Sequence, residues 1–278
     1  MRRLVRILQR LFLTLLIAGA ALFGWSYWTA VSDPAVRSAR VAAPGWPSGA
    51  PPMRLLLISD VHVAGPDMPP ARLRRIVGRI NRLEPDIVLI AGDLVSDKRF
   101  ATRYYSLEEA VAPLAALRPR LATIAVLGNH DHWRDAGAAR RALARAGIRL
   151  LQNQAVQAGP VAIGGLDDDY TGRADLPATL AALRMLAGPK LLLSHSPDPF
   201  PDIESDIFLM LAGHTHCGQV APPLIGPVST MSRHGRRYAC GIVREDGRTL
   251  IVSSGLGTSV LPIRLGAVPD MWLVEIGP

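Results

Sequence analysis

Leu55-Leu56-Leu57-Ile58-Ser59-Asp60-Val61-His62 reads as a short strand, apolar almost throughout, that stops on a carboxylate and an imidazole. A run apolar on both faces is a strand covered on both faces, as in the middle of an α/β sheet. Four more runs stop in the same way: Ile87–Ala91 at Gly92-Asp93, Thr123–Leu127 at Gly128-Asn129-His130-Asp131, Leu191–Ser194 at His195, and Ile207–Ala212 at Gly213-His214-Thr215-His216. Open α/β sheets assemble their sites at the carboxyl ends of the strands. Five of the seven histidines (His62, His130, His195, His214, His216) stand at such ends.

Between the early runs lie stretches of helical pattern, Ala71–Leu83, Leu107–Leu117, Ala138–Ala146 and Leu176–Leu186. This rhythm predicts an α/β domain, and Val161–Leu166 fits it as a further strand. Cys240–Arg244, Thr249–Ser254 and Met271–Ile276 follow without helices between them and are expected to be antiparallel or to form a second sheet.

A lone histidine at a strand end is more often packed than ligating, but five donor-bearing ends argue together for one metal site. Imidazole and carboxylate donors without thiolate suit Mn, Fe, Zn or Co and are too nitrogen-rich for Ca or Mg. Gly92, Gly128 and Gly213 fit the tight turns where backbone must come close.

In order and spacing these motifs resemble the signature of the calcineurin-like metallophosphoesterase superfamily (DxH, GDxxD, GNH[DE], a lone His, GHxH), over roughly residues 54–276. The resemblance implies a two-sheet β-sandwich flanked by helices, holding two divalent ions, with Mn, Fe or Zn expected. By position, Asp60, His62 and His216 would hold one ion, Asn129, His195 and His214 the other, and Asp93 would bridge both. His130 would protonate the leaving group or hold a phosphate oxygen, with Asp131 expected to orient its ring and favour its charged form. One departure is Ser96, where the family has its second Asp; Asp97 follows one place later. The implied activity is hydrolysis of a phosphodiester or pyrophosphate bond.

The C-terminal third, from Gly213 through Pro227, then Tyr238–Gly241 and Gly255–Ser259, looks like bacterial membrane-anchored phosphoesterases, some associated with UDP-2,3-diacylglucosamine pyrophosphatase activity in lipid A biosynthesis. The apolar stretches Val220–Val228 and Gly255–Leu265 could then form an acyl-chain groove, or be ordinary loop packing.

Leu11–Ser32 is a run of 22 residues without a charge. As a helix it spans about 33 Å, enough for a hydrocarbon core of ~30 Å. Arg2, Arg3, Arg6 and Arg10 crowd one end, and Trp25, Tyr27 and Trp28 mark the other. The positive-inside rule puts the arginines in the cytoplasm and the remaining chain outside it, in the periplasm if the membrane is a bacterial inner membrane. A cleaved signal peptide ending near Ala18-Gly19-Ala20 is the alternative, but the apolar run continues past it through Trp25. The expected organisation is an anchor over residues 1–33, a Pro/Gly-rich linker over 34–53, and the phosphoesterase domain over 54–278.

The net charge is +8, yet six arginines against Asp33 put +5 of it in the first 40 residues, leaving +3 on the rest. That is no footprint for a nucleic-acid backbone, so the expected partners are a phosphate-containing small molecule or lipid and the membrane itself. A non-catalytic scaffold on the same fold is the other class; every ligand position being filled argues against it. The two cysteines, Cys217 and Cys240, allow a disulfide, free thiols or a lone ligand, and Cys217 reads best as a buried thiol. His132 and His234 match no motif and are expected at the surface or pocket rim, and Asp167-Asp168-Asp169 reads as a solvated loop.

Overall fold

The computed structural model describes residues 2–278. Two six-stranded sheets pack face to face. The first contains β1 (Ala35–Ala42), β2 (Met53–Ser59), β3 (Ile87–Ala91), β4 (Ala122–Val126) and β5 (Arg149–Leu150). The second holds β6 (Gln154–Ala158), β7 (Val161–Gly165), β8 (Lys190–Leu193), β9 (Ile207–Ala212), β10 (Gly241–Glu245) and β11 (Arg248–Val252). The strand β12 (Asp270–Gly277) returns to the first sheet, giving the order β1-β12-β2-β3-β4-β5, against β10-β11-β9-β8-β7-β6 in the second.

Period-two alternation sorts the strand residues between layers. Leu55 and Leu57 point between the sheets, where they meet Leu89, Ile163, Leu193, Leu209 and Leu211. Leu56 and Ile58 point the other way, onto the layer formed by the helices α2 (Pro70–Arg82), α3 (Leu107–Val111) and α4 (Asn129–Arg145). On the outer face of the second sheet, Leu180 and Leu183 of α5 (Leu176–Arg184) cover Ala162 and Leu192. The sandwich flanked by helices expected from the sequence is therefore present, with both sheets aiming the carboxyl ends of their central parallel strands at one edge.

Two expectations need correction. The linker over residues 34–53 is in part a strand: Ala35–Ala42 pairs parallel with Asp270–Gly277, held also by Arg37–Asp270 at 2.7 Å and Arg40–Glu275 at 3.0 Å. Its prolines lie outside the paired stretch, at Pro34 and from Pro44 onward, and β12 would otherwise leave an open sheet edge. The helix expected at Ala138–Ala146 begins at Asn129, inside the ligand motif, with a break at Asp135. The later strands fall as expected: β10 and β11 lie in the second sheet and pair antiparallel with each other, β12 pairs antiparallel with β2 in the first, and β11 also runs parallel to β9.

Before β1 comes α1 (Arg2–Val31), a helix long and apolar enough to cross a membrane, with a mean hydropathy of 1.8 over its best window. It projects from the domain, and its buried residues, Ser26, Thr29 and Ala30, are confined to its end. There the Arg264 N–H donates to the Ser26 carbonyl and the Arg72 guanidinium to the Ser32 carbonyl.

Candidate metal centre

β2, β3, β8 and β9 each end in a sharp turn that carries donor side chains, and α4 begins at another. Asp60, His62, Asp93, His214 and His216 all have positive φ, between 47° and 69°. A non-glycine side chain in that region is costly and persists only where its surroundings hold it. Packing leaves no alternative at the neighbouring glycines. A Cβ on Gly128 would overlap the Asp93 carboxylate, and one on Gly213 would overlap Asp60 and Ser59.

The seven expected ligands come together as two sets. In the first, His62 Nε2 and His216 Nε2 stand 3.1 Å apart, with His216 Nε2 3.4 Å from Asp60 Oδ1. In the second, His195 Nε2 lies 3.1 Å from His214 Nδ1 and 3.1 Å from Asn129 Oδ1. Asp93 Oδ2 faces both, 3.4 Å from His62 Nε2 and 3.3 Å from His195 Nε2.

The outer ring atoms explain why these nitrogens fit cations. His195 Nδ1–H donates to the Ala91 carbonyl at 2.7 Å, and His214 Nε2–H donates to the Met231 carbonyl at 3.2 Å. In the neutral rings that leaves unprotonated nitrogens facing one another, an arrangement that repels unless a cation lies between them. Burial pushes His62 and His216 well below the ordinary histidine value, holding them in the form that offers a lone pair. Burial pushes the Asp60 carboxyl up to about 6. It also works to raise Asp93, but the facing His195 outweighs it and holds that carboxyl well below the usual range. The Asp93 carboxylate in turn lifts His195 well above the ordinary histidine value, a proton standing where a cation would otherwise sit.

His130 borders the first set, with a ring nitrogen within 4.8 Å of donor atoms of His62 and Asp93. Its backbone N–H donates to Asp93 Oδ1, its ring lies edge-on to His62, and it lines the cleft. Asp131 does not orient it. The Asp131 carboxylate is buried and accepts the backbone N–H groups of Leu94 and Gly128, closing the first turn of α4. The residue on His130 Nδ1 is Asp97, at 2.5 Å, the carboxylate displaced by one position from the family pattern. His132 is also turned inward, its Nε2 2.7 Å from Asp167 and its side chain 4% exposed, and Asp168 is fully buried. His234 packs edge-on to Tyr238.

Two features had little or no motif signal. Cys217, directly after His216, forms a disulfide with Cys240, so the buried thiol is corrected. Arg264 is fully buried; it donates to the carbonyls of Ser254 and Gly257, with Nη2 3.3 Å from His216 Nδ1. A single charge inside the apolar stretch Gly255–Leu265 was its only trace in the sequence.

Two donor sets sharing one carboxylate at the strand ends of a β-sandwich define a dinuclear metal-dependent phosphoesterase. Residues 53–218 match the calcineurin-like phosphoesterase family, and the chain belongs to it. It is 29% identical over 271 residues to a zebrafish "Transmembrane protein with metallophosphoesterase domain", a match covering 91% of this chain and 59% of that protein. It is 28% identical to the uncharacterized metallophosphoesterase YkuE of Bacillus subtilis, covering 81% of this chain and 79% of the relative. With the phosphodiesterase YaeI of Escherichia coli K12 it shares 29% identity, covering 82% of this chain and 83% of that one.

Proposed function

We propose that the protein hydrolyses a phosphodiester, with Asp60, His62 and His216 holding one divalent ion, Asn129, His195 and His214 the second, and Asp93 shared. The supporting observation is that Asp93 Oδ2 lies 3.4 Å from His62 Nε2 and 3.3 Å from His195 Nε2, each of which stands 3.1 Å from a second ring nitrogen, of His216 and His214 respectively. When bound, the ions supply Lewis-acid polarisation of a phosphoryl oxygen and lower the pKa of the attacking water. Mn, Fe or Zn suits the nitrogen-rich donor set.

The chain's own part is positional. Two ligand carboxylates, Asp60 and Asp93, leave the loaded site with net positive charge toward the phosphate. His130, with Nδ1–H on Asp97, turns its other ring nitrogen to the cleft and supplies the proton to the departing alkoxide. In the reaction the water oxygen bonds to phosphorus, one P–O ester bond breaks, and an alcohol and a phosphomonoester leave.

The disulfide belongs to an oxidising compartment, and the arginines before the apolar helix also favour a domain outside the cytoplasm. Both weigh against UDP-2,3-diacylglucosamine, a lipid A precursor made inside the cell, and favour a diester at the periplasmic surface of the inner membrane. The purified full chain, stripped with chelator and reloaded with Mn2+, should hydrolyse bis-p-nitrophenyl phosphate and carry about two ions per chain. No turnover with both ions retained would overturn the reading in favour of a scaffold.

A further inference from the structure

The end of α1 is gripped by the same loops that rim the metal cleft. Arg264 N–H bonds to Ser26, and the neighbouring Leu265 N–H bonds to Gln219. Gln219 in turn holds Ser259 and Leu261, so residues 219–231 and 259–266 form one lip beside the emerging helix. The lip is apolar where it meets solvent: Leu224 is fully exposed, Ile225 is 62% exposed, Val228 67% and Val260 56%. The cleft behind it has a volume of about 470 Å³, with Val228, Val260 and Leu261 on the lip side and Asp93, Asn129 and His214 at its base.

Helix length fixes the height of this lip. From Leu11, just after the last arginine, to Trp25 the helix is free of the domain for 15 residues. That is ~22 Å of a hydrocarbon core of ~30 Å. The missing part corresponds to Ser26–Ala30, the stretch held by the domain. Trp25 and Trp28, both exposed, mark the headgroup level at the same place. A bilayer that covers the span must therefore reach the lip.

We propose that this lip lies in the bilayer interface, so that the cleft opens against the leaflet and takes its diester from an amphiphile whose apolar part stays in the membrane. The second half rests on the hydrolysis proposed above; the first does not. Four exposed aliphatic side chains on the loops that hold the end of a membrane helix fit lipid better than a protein partner.

The test uses the full chain in phosphatidylcholine vesicles containing brominated lipid. A tryptophan added as Leu224→Trp should lose most of its emission. One added as Leu121→Trp, before β4 and thus at the opposite end of the strands, should keep it. Equal emission at both positions would overturn the placement, and so would shielding of residue 224 by a second copy of the chain. In parallel, Leu224→Asp with Ile225→Asp is assayed on hexadecyl p-nitrophenyl phosphate in vesicles and on methyl p-nitrophenyl phosphate in solution. The ratio of the two rates should fall about tenfold or more, from the lost burial of two aliphatic side chains. An unchanged ratio would overturn uptake from the leaflet. If the parent chain turns over neither ester, the hydrolysis reading fails, while the quenching still decides where the lip lies.

Discussion

At the scale of single residues, the jobs proposed for Asp93, His130, Asp97 and Asp131 are separable. Asp93→Asn should abolish activity and drop the metal content from about two ions toward none, because one oxygen serves both sets; elemental analysis of the purified variant reads this directly. His130→Ala should keep its metal while kcat falls by ~10²–10⁴, the usual span for a lost general acid. Asp97→Asn should lower kcat in the same direction with Tm unchanged. Asp131→Asn should instead lower Tm, since a carboxylate that holds two backbone N–H groups is replaced by an amide with one oxygen, a cost of about 1–3 kcal/mol. The ligands were legible because their types recur at strand ends, a pattern carried by neighbours in the chain. The Asp97–His130 pair was not: nearness in sequence favoured Asp131, whereas the turn after β3 brings Asp97 across from 33 positions away.

At the scale of elements, the turn bearing His214 and His216 has no helix or ladder of its own beyond three residues of 3-10 helix. It is fastened instead by the Cys217–Cys240 disulfide and by Thr215 Oγ1, which donates to the Ala239 carbonyl. Replacing both cysteines by serine should cost about 2–4 kcal/mol of stability. Metal retention should fall as well, visible as a lower chelator concentration for half-loss of activity; unchanged retention would make the bridge a remote staple only. The strands were legible from their apolar runs because burial on both faces demands such runs. β1 was not, since a half-exposed edge strand rich in Arg, Ser and Ala carries little periodicity, and its partner is remote in sequence. Pairing of the two cysteines was equally open, since 23 positions with no regular pattern separate them.

At the scale of the whole molecule, β1 decides where the folded domain begins. A chain starting at Pro34 keeps that strand, and one starting at Met53 loses it along with the Val41 and Ala43 packing between the sheets. The shorter chain should be less stable by about 2 kcal/mol or more, roughly 4–8 °C in Tm for a domain of this size; equal melting points would make β1 dispensable. β1 also touches the order in which the protein is made. Arg37 and its partner Asp270 are 233 positions apart, and β12 lies between β1 and β2 in the sheet, so the first strand to be made has no neighbour until β12 follows it. During synthesis the stretch after the apolar helix therefore waits as bare, unpaired backbone while the rest of the domain is made. The seam nearest the membrane closes late, and a nascent chain of this kind depends on whatever shields such an edge until its distant partner emerges.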